Sequence, residues 1–233
     1  LGLERQPGLR GEDPEQEAVW EIFGNPVAVS LEKADMPLTL RSKRETGRDG
    51  GAPLGTAMHL VFQFLDLRTL RGQPMVKAEK IYASQLDRMV EALTLTEEAR
   101  DAALTFTDQA VRWANSELAG RLLRVEETSG KVYREIPFTL ALPSSHLDAS
   151  FPADETSLIQ GMIDLWFVEE EGAAILIDFK TDHLTGDRND GWLRERYGVQ
   201  IKFYAEAIAR ATGRKVKEKL IWLIREARAV AFP

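Results

Sequence analysis

Asp178-Phe-Lys180 closes a short apolar run, and a second apolar run carries Asp164 fourteen residues earlier. A carboxylate in such a run is costly unless it is paired, hydrogen-bonded or bound to a cation. Strand side chains alternate between faces, so Asp178 and Lys180 share one face, with Ile177 and Phe179 on the other. On the preceding run Asp164 falls on the face of Gln160, Met162 and Trp166. The turn Glu170-Glu171-Gly172 makes a hairpin that can bring the two aspartates close. Two close carboxylates repel unless a cation sits between them. Carboxylate and carbonyl oxygens suit Mg²⁺ or Mn²⁺. A lysine beside such an ion can position an attacking water or neutralise charge developing on a phosphate. The chemistry this set supports is metal-dependent hydrolysis of a phosphodiester.

Three further pieces fit the same site. His59 stands four residues after Gly55 in Gly55-Thr-Ala-Met-His59, on a segment with helical spacing. Gly55 is expected to open that helix and to permit close backbone approach. Gln200 and Tyr204, at i and i+4 of a late helix, share a face and can reach a phosphate or the lysine. Glu135, in Arg134-Glu-Ile-Pro-Phe138, is another strand carboxylate. Each piece has an ordinary reading. A lone histidine packs or caps, an aspartate beside a turn shapes the turn, Gln-x-x-x-Tyr packs, and Glu135 pairs with a surface arginine. The weight lies in the order: helix His, strand Glu, strand Asp, strand Asp-x-Lys, helix Gln-x-x-x-Tyr.

The elements that must position these residues can be read from periodicity. Met58, Val61, Phe62 and Leu65 recur at helical spacing from Gly55 onward. A long helix is predicted at about 76–93, with Ile81, Leu86, Met89, Val90 and Leu93 inside. Thr94-Leu-Thr96-Glu-Glu98 supplies a cap and an acidic first turn for a helix near 97–104, and two more follow near 105–114 and 116–123. The period then changes. Strands are predicted at Lys131–Leu142, Ser157–Glu169 and Ala173–Lys180, a helix at about 195–212, a strand at Val216–Arg225 and a short last one at Ala227–Ala231. Helices followed by β-β-β-α-β imply an α/β (α+β) fold with a small mixed sheet. Ahead of this block, a short helix is expected at Pro14–Phe23. Much of 24–54, with Arg41, Lys43, Arg44, Arg48 and Gly50-Gly51, is expected as loop or linker. The predicted division is a tail or linker over 1–54 and one domain over 55–233, made of a helical block (55–123) and a sheet core (124–233).

Composition narrows the classes. The chain has 233 residues, 44% hydrophobic, enough for a real core. It has no cysteine, which excludes a disulfide framework, a cysteine zinc site and a cysteine-ligated iron–sulfur cluster in this segment. No apolar run approaches the roughly 18 residues of a membrane span. The net charge of −7 counts against a general nucleic-acid binder, but the charge is uneven: residues 186–233 carry +5 and residues 1–185 carry −12. A basic C-terminal quarter can follow a phosphate backbone while acidic residues gather at a metal. The first residue is Leu, which fits a piece of a longer chain or a processed product.

On Gly55-Thr-Ala-Met-His59, Arg134-Glu-Ile-Pro-Phe138, Ile159-Gln-Gly-Met-Ile-Asp164, Ile177-Asp-Phe-Lys-Thr-Asp182 and Gln200-Ile-Lys-Phe-Tyr204, the chain resembles the PD-(D/E)XK nuclease superfamily and its RecB-like branch. The resemblance covers about 55–225. Within that branch it is nearest to the C-terminal nuclease domains of the AddA type. It implies a restriction-endonuclease-like core flanked by helices, with His59, Asp164, Asp178 and the Phe179 backbone carbonyl as ligands of Mg²⁺ or Mn²⁺. It further implies Lys180 as the catalytic lysine, Gln200 and Tyr204 supporting the lysine and the DNA backbone, and Glu135 as an accessory acidic position. The implied function is exonucleolytic hydrolysis of single-stranded DNA during double-strand-break processing in a bacterial cytoplasm. The implied partners are upstream helicase domains, single-stranded DNA ends and an AddB-like subunit, with no membrane. The AddB and Cas4-type relatives use cysteines for an iron–sulfur cluster, so the absence of cysteine implies no such cluster here. A stand-alone exonuclease of the same superfamily, or a non-catalytic module docking DNA or a partner, are the alternatives.

Overall fold

A computed structural model describes residues 51–146, 150–152 and 154–233. The expected Pro14–Phe23 helix and most of the expected linker lie outside the described residues. Six helices come first: α1 (Gly51–Phe64), α2 (Leu67–Leu70), α3 (Met75–Glu91), α4 (Glu97–Leu104), α5 (Thr107–Asn115) and α6 (Glu117–Thr128). Strands β1 (Val132–Pro143), β2 (Thr156–Val168) and β3 (Ala174–Lys180) follow, then α7 (Asp190–Thr212), β4 (Val216–Leu223) and β5 (Arg228–Phe232). No helix among the described residues is long and apolar enough to cross a membrane.

Side-chain caps set several boundaries. Thr96 accepts from the Ala99 N–H at the start of α4, and Ser116 accepts from the Ala119 N–H at the start of α6. Asn189 accepts from the N–H groups of Gly191 and Trp192, so α7 begins five residues before its apolar periodicity does. Gly213, at φ 68°, ends it in a left-handed conformation that costs glycine little. Two expectations fail locally. α1 starts at Gly51, so Gly55 lies inside the helix, and a methyl there would meet Thr181 Oγ1 only at an ordinary 3.6 Å. Leu93, expected inside a helix, lies beyond α3 at φ 57° and is 93% exposed.

The strands form one sheet in the order β1-β2-β3-β4-β5. All neighbours are antiparallel except β3 and β4, which are parallel and joined through α7. Helices α1 to α6 cover one face, where Met58, Val61, Phe62 and Trp113 pack on Leu165, Phe167, Ile175, Ile177, Phe179 and Trp222. α7 covers the other, with Leu193, Ile201, Tyr204 and Ile208 against Trp166, Leu176, Ile221 and Leu223. Burial on both faces is why β3 reads as an almost unbroken apolar run.

β2 does not keep one alternation. Trp166 and Val168 face α7, yet so do Ile159 and Ile163, which have the opposite parity; Gln160 and Met162 are exposed. The switch falls at Asp164, so the expectation that Asp164 shares a face with Gln160 and Met162 is corrected. Its cause is the opposing residue. Glu135 sits at φ 52°, and the β1–β2 ladder holds Arg134↔Leu165 and Ile136↔Ile163 but no Glu135–Asp164 pair. β2 pairs with β3 only over Leu165–Val168. Beyond Asp164, β1 and β2 continue as a two-stranded arm, whose Phe138, Leu140 and Leu142 pack with the α7 layer. The sheet therefore forks between Asp164 and Asp178.

Candidate active site

The fork leaves backbone groups without ladder partners, and the acidic side chains occupy that gap. Asp164 Oδ2 accepts the Phe179 N–H at 2.8 Å, replacing a strand carbonyl. The next residue bonds the opposite way: the Lys180 carbonyl accepts the Ile224 N–H at 2.9 Å. A strand residue directs its N–H and C=O to the same edge, so the Phe179 carbonyl faces the fork with its N–H. Phe179's ring points into the helical layer, 5.0 Å from Phe62 and 5.5 Å from Trp113, centroid to centroid. Phe62 lies almost one turn after His59, so the same aromatic cluster that seats Phe179 also fixes the helix bearing the histidine.

His59 reaches the fork from the helical layer and stands 3.3 Å from Asp164 Oδ2 through Nδ1. His59, Glu135 and Asp164 each offer a ligand atom, and these atoms lie within 4.8 Å of one another. Glu135 has no ion-pair partner among the described residues; the neighbouring Arg134 pairs with Glu126 instead. Asp178 lies outside that triple. It is fully buried, with Oδ2 2.5 Å from Lys180 Nζ and Oδ1 accepting from Gln200 Nε2 at 3.3 Å. Gln200 Nε2 also stands 2.6 Å from the Tyr204 hydroxyl. Tyr204 is held edge-on to Phe138 at 5.4 Å. Gly161 makes that possible, since a methyl group there would sit 2.7 Å from the Phe138 ring.

The charges explain one another. Burial pushes the Glu135 carboxyl up to about 7, and the neighbouring Asp164 adds to it. Burial likewise raises Asp178 to about 6, against the pull of Lys180. Burial opposes the charged forms of Asp164 and His59, yet each holds the other's charge: Asp164 falls below its ordinary value and His59 rises above its own. Lys180 is raised despite burial because Asp178 and Asp164 face it, so it keeps its proton. Three carboxylates thus crowd one ammonium and one imidazole. The uncompensated Glu135, beside an imidazole and a second carboxylate, fits a divalent cation in charge and in donor type.

All eight residues singled out from the sequence come to this fork: His59, Glu135, Asp164, Asp178, Phe179, Lys180, Gln200 and Tyr204. Tyr197 was not singled out. Its ring centre is 4.8 Å from Lys180 Nζ, and its hydroxyl donates to Asp182 Oδ2 at 2.9 Å. The signal was present in the spacing, because positions 197, 200 and 204 share one helical face.

Relatives support this arrangement. Over 173 residues, 72% of this chain, it is 34% identical to the ATP-dependent helicase/nuclease A-subunit of Clostridium botulinum (strain 657). It is 35% identical over the same span to the protein of the same name in Clostridium kluyveri (strain ATCC 8527). The match covers only 12% and 13% of those proteins, so the chain spans about an eighth of the length of the curated relatives it matches. The family match is far broader, running over residues 37–232, and on it the chain belongs to the PD-(D/E)XK nuclease superfamily.

Proposed function

We propose that this chain hydrolyses phosphodiester bonds of single-stranded DNA from an end, with Mg²⁺ or Mn²⁺ as cofactor. The observation that carries the reading is the convergence of His59, Glu135 and Asp164 within 4.8 Å, beside a fully buried Asp178 paired to Lys180. Asp164, Asp178, His59 and the Phe179 carbonyl would hold the cation, with Glu135 as an added carboxylate. When bound, such an ion activates water and offsets charge on the phosphate. The chain's own residues do the rest. Lys180 retains its proton, so it acts as a cationic donor from Nζ to a phosphate or water oxygen rather than as a base. Gln200 holds Asp178 Oδ1 and meets the Tyr204 hydroxyl, which fixes the acid that orients Lys180. The walls from Phe62, Phe179 and Leu165 exclude bulk water from one side, strengthening each charge interaction.

The finer role follows the relatives' names: a nuclease segment working in a helicase–nuclease of the AddAB type. Its helicase would be upstream in the same polypeptide and an AddB-like subunit its partner, processing double-strand breaks in a bacterial cytoplasm. No element resembles a base-reading helix, so backbone contacts dominate and binding weakens with salt. The test is degradation of linear and circular single-stranded DNA by the purified chain with Mn²⁺ or Mg²⁺. Loss of the linear strand alone, abolished by chelator and by Asp178→Ala, is expected. Activity that survives Asp178→Ala overturns the assignment, and equal loss of the circle overturns the end requirement.

A further inference from the structure

Lys180 is also one end of a line of cationic and aromatic side chains that the proposed chemistry leaves unused. The Arg188 guanidinium carbon stands 5.2 Å from the centre of the Trp192 ring, and that of Arg196 stands 5.3 Å from the same ring. Arg196 is 5.4 Å from the Tyr197 ring centre, and that ring is 4.8 Å from Lys180 Nζ. Trp192 and Tyr197 meet edge to face at 6.5 Å. The line thus runs Arg188, Trp192, Arg196, Tyr197, Lys180 without a break, from just ahead of α7 to the reactive ammonium. Arg188 and Arg196 are exposed, and the two rings are half-buried. Nearby carboxylates do not cancel it throughout. Asp190 is taken by Arg228 at 2.6 Å and Asp182 accepts the Tyr197 hydroxyl, which leaves exposed Asp187 and Glu195. An arginine over an indole also occurs as plain surface packing. Packing does not require the series to end on the one lysine that faces the fork.

We propose that this line is a track for the unpaired nucleotides beside the scissile phosphate. A base stacks on Trp192, Arg188 and Arg196 meet the flanking phosphates, and Tyr197 walls the entry to Lys180. The idea rests on the nuclease reading and adds what that reading lacks, a physical reason for preferring single strands. Every base has a π face to offer an aromatic ring, but a duplex hides those faces in its own stack.

The experiment measures binding of fluorescent oligothymidylate and of a matched duplex to the 233-residue chain in chelator, so that no cleavage intervenes. The wild type is expected to favour the single strand, with quenching of tryptophan emission. Trp192→Ala should weaken single-strand binding about tenfold and remove most of the quenching. Trp192→Leu, which keeps apolar volume, should do the same and so separates stacking from folding. Arg188→Gln with Arg196→Gln should lower the slope of log affinity against log salt by about 1.4, two phosphate contacts on a single strand. In cleavage with Mn²⁺ the loss should fall on KM. Variants that bind and cut like a wild type active with Mn²⁺ overturn the track while leaving the nuclease reading intact. A wild type that binds duplex as tightly as single strand also overturns it. Absence of any Mn²⁺-dependent cleavage by the wild type overturns the nuclease reading and, with it, the track.

Discussion

Asp178 and Lys180 are buried together, and neither has another group able to carry its partner's charge. Removing one end of such a pair leaves an uncompensated charge in the interior, which costs about 3–5 kcal/mol. Lys180→Ala should lower stability in urea unfolding by about that much, whereas Lys180→Met with Asp178→Asn should restore most of it. Both proteins should lose cleavage by at least about a hundredfold, as for a single oxyanion donor. A double variant as unstable as Lys180→Ala contradicts the pairing. Glu135 should behave in the opposite way. It crowds Asp164 with no ion-pair partner, so Glu135→Gln is expected to raise the metal-free melting temperature and to shrink the gain on adding Mn²⁺. Differential scanning fluorimetry with and without Mn²⁺ reads both; an unchanged Mn²⁺ gain excludes Glu135 from the site. Alternation alone placed Asp178 and Lys180 on one face. The intimacy of Glu135 with Asp164 was not legible, because it depends on one left-handed residue at φ 52° that no apolar pattern announces.

At the level of elements, Arg121 ties α6 to the sheet. Its guanidinium bonds Glu169, at the end of β2, at 2.8 and 3.0 Å, and Glu218 on β4 at 3.0 and 2.7 Å. Arg121→Met should cost about 1–2 kcal/mol, part of the worth of charged hydrogen bonds being lost to solvent screening. The Arg121 hydrogen bonds hold the Glu169 carboxyl below its ordinary value of 4.5. A depressed folded-state value means stability present above the unfolded value and lost as pH falls through the folded one. Acidification from about pH 5 to about pH 3 should therefore cost the wild type more than Arg121→Met, measured by urea unfolding; parallel losses contradict the tie. Gly161→Ala should push Phe138 off Tyr204, lowering stability by about 1–3 kcal/mol and slowing cleavage together. Helix placement was largely legible here, since capping residues and apolar spacing agree from α3 to α6. The start of α7 was not. Its first turns are polar and contain Gly191, so periodicity begins late and only the Asn189 cap marks the boundary.

The whole molecule puts two helical layers on a sheet that forks, and each layer delivers part of the site: His59 from one side, Gln200 and Tyr204 from the other. The mixed sheet with a single crossover helix was legible from the order of periods and from the resemblance. The fork was not, because it depends on where β2 stops pairing with β3, and both strands read as apolar past that point. The uneven charge acts at this scale too. With −7 overall and +5 over residues 186–233, single-strand binding should weaken steeply with added salt, and a flat salt response would contradict a backbone-tracking surface. The most direct test of the account is anomalous diffraction from a crystal of this chain soaked in Mn²⁺. The account predicts a peak in the fork, within coordination distance of His59 and Asp164 and facing the Phe179 carbonyl. An empty fork at saturating Mn²⁺, or a peak bound only elsewhere on the surface, would contradict it.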